Sequence, residues 1–218
     1  MKKIRIMHNY TVFMLTLLFA LTTQTLAGDD VGDVVKDLKK RYEKFNTLQA
    51  TFTQTTIWAL AGDEQSVSGK FYASGKNKYR VETDAQTIVT DGKTVWTYSK
   101  DKNQVVINSL SKAEQSRTPR DLLVKYTNEF DAQLAEEKIF HGIKCHEVVF
   151  TPRNDEAFVV KTRVLVDKKN SFALRIEQED INENVSRYEL DNYEVDKPIN
   201  NSFFQFEIPA GAEVVDMR

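Results

Sequence analysis

The side chains that most often carry out chemistry are few in this chain, and their spacing argues against each usual use. Three histidines occur in 218 residues. The two outside the first segment, His141 and His146, are an odd number of positions apart, which in extended chain sends them to opposite faces. A metal held between them is not expected. Cys145 is the one cysteine, which rules out a disulfide within the chain and any Cys-rich metal site; a small buried apolar role is expected for it. The acidic run Glu177-Gln178-Glu179-Asp180-Ile181-Asn182-Glu183 lacks the glycine-bearing spacing of a calcium loop and reads as a solvated turn between strands. No G-x-S-x-G, H-E-x-x-H, P-loop or G-x-G-x-x-G occurs, and nothing marks two carboxylates as a glycosidase pair. No catalytic residue, metal or cofactor is therefore expected.

What the chain offers instead is apolar surface at alternating positions. Phe52 and Trp58 share a parity, Phe71 alternates with Lys70, Tyr79 and Val81 alternate with Arg80 and Glu82, and Trp96 and Tyr98 share a side. A strand so built has one greasy face and one wet face. Such a face is either a packed core or, where too little chain covers it, a surface that solvates an apolar ligand.

The elements that must position these residues follow from periodicity. Asp30 to Asn46 predicts an amphipathic helix, with Val31, Val34, Val35, Leu38, Tyr42 and Phe45 on one face and Asp29 or Asp30 as its cap. From Leu48 the period changes to two. Strands are predicted over 48–58, 66–74, 78–84, 86–90, 94–99, 104–108, 130–140, 144–151, 158–167, 172–179 and 185–193, separated by Gly-, Asn- and Asp-bearing turns such as Asp91-Gly92 and His141-Gly142. Ser111 to Asn128 interrupts them, with a second helix expected to begin at Thr118-Pro119. Ten or eleven strands in one meander curl, and an incompletely closed sheet of that size makes a barrel wide enough for a ligand. The expectation is a mainly β chain: an incomplete antiparallel β-barrel, with a helical lid over an apolar cavity that two helices are too few to fill.

Composition bounds the rest. The chain is 41% hydrophobic and 28% charged, with 30 basic and 32 acidic side chains, values of a globular domain rather than a low-complexity one. The absence of a basic excess gives no support to nucleic-acid binding. Lys2, Lys3 and Arg5 precede a short apolar run from Tyr10 to Leu21, and Thr25-Leu26-Ala27 closes it with small residues. Residues 1–27 thus read as a secretory signal peptide, too short in its apolar run to span a bilayer, and 28–218 as a single domain, released into the periplasm and expected to be a monomer. Removing the leader leaves 27 basic against 32 acidic side chains, a net of −5.

Four stretches carry more than periodicity. Ala50-Thr-Phe-Thr-Gln-Thr, Gly69-Lys-Phe-Tyr, Asp91-Gly-Lys-Thr-Val-Trp-Thr-Tyr and Phe204-Gln-Phe-Glu-Ile-Pro-Ala-Gly-Ala-Glu-Val occur in this order. In them the chain resembles the periplasmic outer-membrane lipoprotein carrier family across essentially its whole mature length. The resemblance implies an incomplete β-barrel covered by helices. It implies that acylated lipoproteins are accepted from an ATP-driven (ABC transporter) complex at the inner membrane and handed to an outer-membrane receptor. One departure stands out. The family carries an Arg-Pro pair that helps latch the lid, at the end of the strand that begins at Gly69. Here Gly75 takes the Arg position and no Pro follows, so Lys76, Lys78 and Arg80 become the candidate latch residues.

On this reading the lining of the acyl-chain cavity is drawn from Phe45, Phe52, Trp58, Phe71, Tyr79, Val81, Val89, Trp96 and Tyr98, with Leu122 and Leu123 on a lid helix. The positions mix both parities, because periodicity alone does not set the phase of each strand. The alternative function is a periplasmic sensor or scaffold that binds a lipid or lipoprotein without handing it on.

Overall fold

The computed structural model describes residues 30–75, 77–113 and 129–218. The leader, the helix expected from Thr118-Pro119 and Leu122 and Leu123 lie outside the described residues. Helix α1 spans Val31–Lys44. Asp30 caps it by accepting the Gly32 amide at 2.6 Å, and Arg41 and Lys44 sit in the last turn, where cations complement the helix dipole. The predicted face is the buried one: Val34, Leu38 and Tyr42 point inward. Phe45 follows in extended conformation.

Six strands come next: β1 (Thr47–Trp58), β2 (Asp63–Ser74), β3 (Lys78–Thr83), β4 (Gln86–Asp91), β5 (Thr94–Ser99) and β6 (Gln104–Ser109). A short helix, α2 (Leu110–Ala113), ends this half. The second half contains β7 (Phe130–Leu134), β8 (Lys138–Phe140), β9 (Ile143–Pro152), β10 (Val159–Asp167), β11 (Ala173–Asp180), β12 (Val185–Val195), a 3-10 turn (Asn201–Phe204) and β13 (Glu213–Asp216). They form one strongly curved open sheet in the order β13-β6-β5-β4-β3-β2-β1-β12-β11-β10-β9-β7, with β8 also paired to β9.

Three features differ from the predicted meander. The sheet is two antiparallel runs joined where β12 returns to pair with β1, so the first strand lies near its middle. The predicted strand 130–140 is two strands, because the chain leaves the ladder after Leu134, where the acidic pair Glu136-Glu137 intervenes. The tail supplies β13, paired in parallel with β6; parallel pairing across a hundred residues has no local turn to announce it.

The curved sheet buries its concave face under α1. Leu38, Tyr42, Phe45, Leu48, Tyr79, Phe150, Val164 and Phe172 belong to one continuous core. The Tyr42 and Phe172 rings lie 5.0 Å apart and the Arg41 guanidinium sits 5.0 Å over Phe172. A smaller cluster on the outer face joins Phe140, Cys145, Leu165 and Leu174, which places the single cysteine in a packed interior. Beside it Asp167, only 2% exposed, closes the β10–β11 turn. Burial works against its ionisation, but the Tyr193 hydroxyl at 2.6 Å, Asn170 Nδ2 at 2.8 Å and the Lys169 and Asn170 amides hold its carboxyl below the usual carboxylate range. Tyr193 in turn is pushed up to about 12, first by burial and then by Asp167.

Candidate functional site

Register decides which predicted residues share a surface. Ala50 stands opposite Phe71, and Phe52 opposite Gly69. Phe71 in turn faces Val81, and Ala73 faces Tyr79; Val81 faces Ile88 and Tyr79 faces Thr90. Directly opposed residues lie on the same side of a sheet, so Phe52, Phe71, Tyr79, Val81 and Ile88 form one surface. It is the face that α1 covers, since Phe71, Val81 and Ile88 pack against the core that contains Leu38 and Tyr42. On the other side of β1, Phe52 faces Leu190 and Gln54 faces Tyr188, which extends the surface across β12. Tyr188 and Leu190 were missed in the sequence because nothing local sets β12 beside β1.

The helix covers this face unevenly. Phe45 and Tyr79 are buried in the core. Phe52, Phe71, Val81, Ile88 and Tyr188 remain half-buried, and Trp58, at the far end of β1, is 38% exposed. These form a trough that runs from the end of α1 toward Trp58, apolar around Phe52, Phe71 and Tyr188 and polar beyond, at Gln54, Thr56, Gln65 and Asp63. Gly69 shapes its floor. A Cβ there would come within 2.2 Å of the Glu82 carbonyl oxygen and 2.9 Å of Phe52 Cε1, so the missing side chain lets β3 approach and gives the Phe52 ring its place.

Val89, Trp96 and Tyr98 correct the sequence expectation. Val89 faces Arg80 and Trp96, and Arg80 faces Tyr72. All belong to the outer face, where the C-terminal segment covers them. Phe206 lies 6.5 Å from Trp96 and 6.1 Å from Tyr98, and Phe203 lies 4.7 Å from Tyr72. The two parities in the predicted lining are thus two packing layers. Only the first contributes to the trough. Lys78 and Arg80 also belong to the outer layer: Lys78 donates to Asn201 at 3.1 Å, and Arg80 pairs with Glu82 at 2.6 Å and stacks 4.8 Å over Phe203. Neither reaches α1, and Lys76 lies outside the described residues.

The electrostatics of the two faces are opposite. From β1 to β6 the inward positions nearest α1, Leu48 to Gln54, Val67 to Ala73, Tyr79 to Thr83, Gln86 to Thr90, Val95 to Ser99 and Gln104 to Asn108 taken alternately, carry no charge, and Asp63, opposite Trp58 at the far end of β2, is the acid on this face. The outward ones hold Lys70, Lys78, Arg80, Glu82 and Asp91. On β10 to β12 the outer face is an ion-pair ladder in which Glu177 pairs with Arg163 and Arg187 at 3.3 and 2.9 Å. Burial pushes the Tyr188 phenol up, as an apolar surrounding demands. The trough therefore offers apolar solvation and shape, with no acid–base pair placed in it among the described residues. Among those residues no group of three or more His, Cys, Asp or Glu is arranged to hold a metal, and no helix is long and apolar enough to cross a membrane.

Comparison with known proteins bears on the family and the fold. The chain is 30% identical over 200 residues to an outer-membrane lipoprotein carrier protein of Methylibium petroleiphilum, covering 87% of this chain and 92% of the relative. It is 26% identical over 221 residues to an uncharacterised protein of Methanocaldococcus jannaschii, of whose length it spans 61%. A conserved protein of Thermus thermophilus shares the fold at a TM-score of 0.58 and 16% identity, over 85% of this chain and 98% of that one. The profile of the family described as outer membrane lipoprotein carrier protein LolA matches residues 43–207. With most of its sheet inside that match, from β1 to the 3-10 turn that covers the outer face, the chain belongs to the LolA family of outer-membrane lipoprotein carrier proteins.

Proposed function

We propose that this chain is a periplasmic carrier that takes the acyl chains of lipoproteins onto its concave face and moves them from the inner to the outer membrane. The observation that carries the reading is the inward face of β1 to β6, uncharged apart from Asp63 at its far end and left half-buried between α1 and Trp58. A buried methylene is worth about 0.8 kcal/mol, so an acyl chain of roughly 16 carbons represents on the order of 10 kcal/mol. Chains exposed to water insert into the nearest bilayer. A curved sheet with a greasy inner surface replaces that bilayer during transit, and a helix packed on one part of the surface can yield to cargo without unfolding the sheet.

Residues 1–27 as a cleaved leader, 28–218 as one mature domain, an ABC transporter at the inner membrane as donor and an outer-membrane receptor as acceptor complete the reading. Phe52, Phe71, Val81, Trp58 and the Tyr188 wall form the proposed lining, with Phe45 and Tyr79 beneath α1. The test is to purify the mature protein from its host envelope and identify co-purifying polypeptides by mass spectrometry. Triacylated lipoproteins are expected in stoichiometric amounts, and a preparation that carries only free lipid or a single unacylated protein refutes the carrier role.

A sensor or scaffold is the second reading. It is favoured by Gly75 at the family's latch position, with Lys78 and Arg80 engaged on the opposite face. Transfer of a loaded lipoprotein to acceptor vesicles bearing the receptor separates the two: a carrier empties and a sensor stays loaded.

A further inference from the structure

A second concavity lies at the seam where β12 meets β1. It has a volume of about 420 Å³ and is lined by Thr51, Phe140, His141, Leu174, Asp191 and Tyr193, among others. Two backbone irregularities create it. Between Gln49 and Thr51 the β1–β12 register shifts, so that Ala50 faces both Asn192 and Tyr193, and Asn192 holds a left-handed φ of 46°. Such bulges re-aim side chains and are enriched beside functional sites. Opposite it, the β8–β9 hairpin turns through His141 and Gly142, at φ 48° and 79°, and hangs the imidazole over the opening. The positive φ at His141 and Gly142 is what a two-residue hairpin turn between Phe140 and Ile143 requires.

The pocket contains a buried acceptor that is only ion-paired. Asp191 Oδ1 is buried and has no hydrogen-bond donor in bonding geometry. Its close neighbour is His141 Nδ1 at 2.6 Å, and stacking on Phe140, at 4.1 Å and 13° between planes, holds the imidazole ring. The nearby cation Arg175 lies 4.0 Å from Glu189 and 5.9 Å from the Phe140 ring. Tyr193 donates its hydroxyl to Asp167. A buried carboxylate oxygen whose close neighbour is out of hydrogen-bond alignment is poorly satisfied, and an N–H group entering from solvent can align with it. The remaining walls, Phe140, Ile143 and Leu174, are apolar.

We propose that this pocket is a second binding site, at the β1–β12 seam beside the trough, for a compact organic ammonium ion: a cationic N–H donor for Asp191 joined to an apolar body that packs on Ile143, Leu174 and Phe140. His141 is its internal competitor, holding the carboxylate while the site is empty. The inference does not depend on the carrier reading, because Asp191 and His141 lie outside the trough and the pocket shares only Leu190 of β12 with the trough surface.

The test is titration of the mature protein with phenethylammonium, followed by calorimetry and by the imidazole proton signals, with 2-phenylethanol as the neutral isostere. Saturable binding is expected, with the His141 signals shifting as the ring gives up Asp191. Asp191→Asn should weaken binding by about tenfold or more, as loss of a charge-assisted hydrogen bond does. His141→Gly keeps a turn that accepts positive φ and removes the competitor, so it should tighten binding by a few-fold, on the order of half a decade. Uptake of a fluorescent acyl probe should be unchanged in both variants. Absence of saturation up to about 10 mM, in the range of the weakest specific binding, overturns the proposal. So does equal affinity for 2-phenylethanol, or wild-type affinity in Asp191→Asn. Should Asp191→Asn fail to fold, the His141 shift in the unmodified protein decides the matter, and its absence at saturating probe counts against the site.

Discussion

Phe52 and Trp96 both sit in strands of strong alternation, yet the structure assigns them opposite consequences. Phe52 lies on the inward face over Gly69, and Trp96 on the outward face against Phe206. Replacing Phe52 with Glu puts a carboxylate in the part of the inward surface, between α1 and Gln54, that has no charge. If the ring covers about three methylenes of a bound chain, removing it costs roughly 2–3 kcal/mol of binding. That corresponds to about 30- to 150-fold in affinity, before any penalty for desolvating the new charge. Folding should suffer less, since the half-buried side chain lets the carboxylate reach water when no cargo is bound. Trp96→Ala should do the reverse. It leaves a cavity under Phe206 and costs about 2–3 kcal/mol of stability, with acyl affinity unchanged per folded molecule. The assay is a fluorescent fatty-acyl probe titrated into each variant, normalised to the folded fraction from near-ultraviolet circular dichroism, with urea melts in parallel. Loss of affinity in Trp96→Ala equal to that in Phe52→Glu would refute the assignment of faces, and with it the location of the trough.

Gly69→Ala tests the close approach of β3 directly. Its Cβ would lie 2.2 Å from the Glu82 carbonyl oxygen, which backbone must move to relieve, so thermal unfolding should show a loss of about 2–4 kcal/mol together with weaker acyl binding; an unchanged melting temperature contradicts the geometry. Asp167 tests the outer cluster. Its folded-state pKa is depressed, so its stabilisation is present above the unfolded value of about 3.9 and is lost as pH falls through the lower folded value. Urea melts of wild type and Asp167→Asn from neutral pH downward should show the wild-type advantage vanishing in acid, and an advantage that persists or grows there is the contrary result.

Much of this protein was legible before folding. Helix α1 and its cap follow from Asp30 and the spacing of Val34, Leu38 and Tyr42. Most strands of β1 to β6 and β9 to β12 follow from period two and the turn residues between them. These are local properties: side-chain period and turn chemistry act within a few residues, and each hairpin hands its register to the next. The resemblance in Asp91-Gly-Lys-Thr-Val-Trp-Thr-Tyr was likewise readable from order alone.

Which face each aromatic serves was decided only by tertiary structure. Val89, Trp96 and Tyr98 alternate as regularly as Phe71, Tyr79 and Val81, and in isolation either parity suits a core. The choice depends on what covers each side of the sheet: α1 on one, and on the other a C-terminal segment a hundred residues away, with Phe203 and Phe206. The bulge opposite Ala50 and the pairing of β12 with β1 have the same origin. Non-local contacts form where curvature brings distant strands together, and no periodicity within a single strand encodes that meeting.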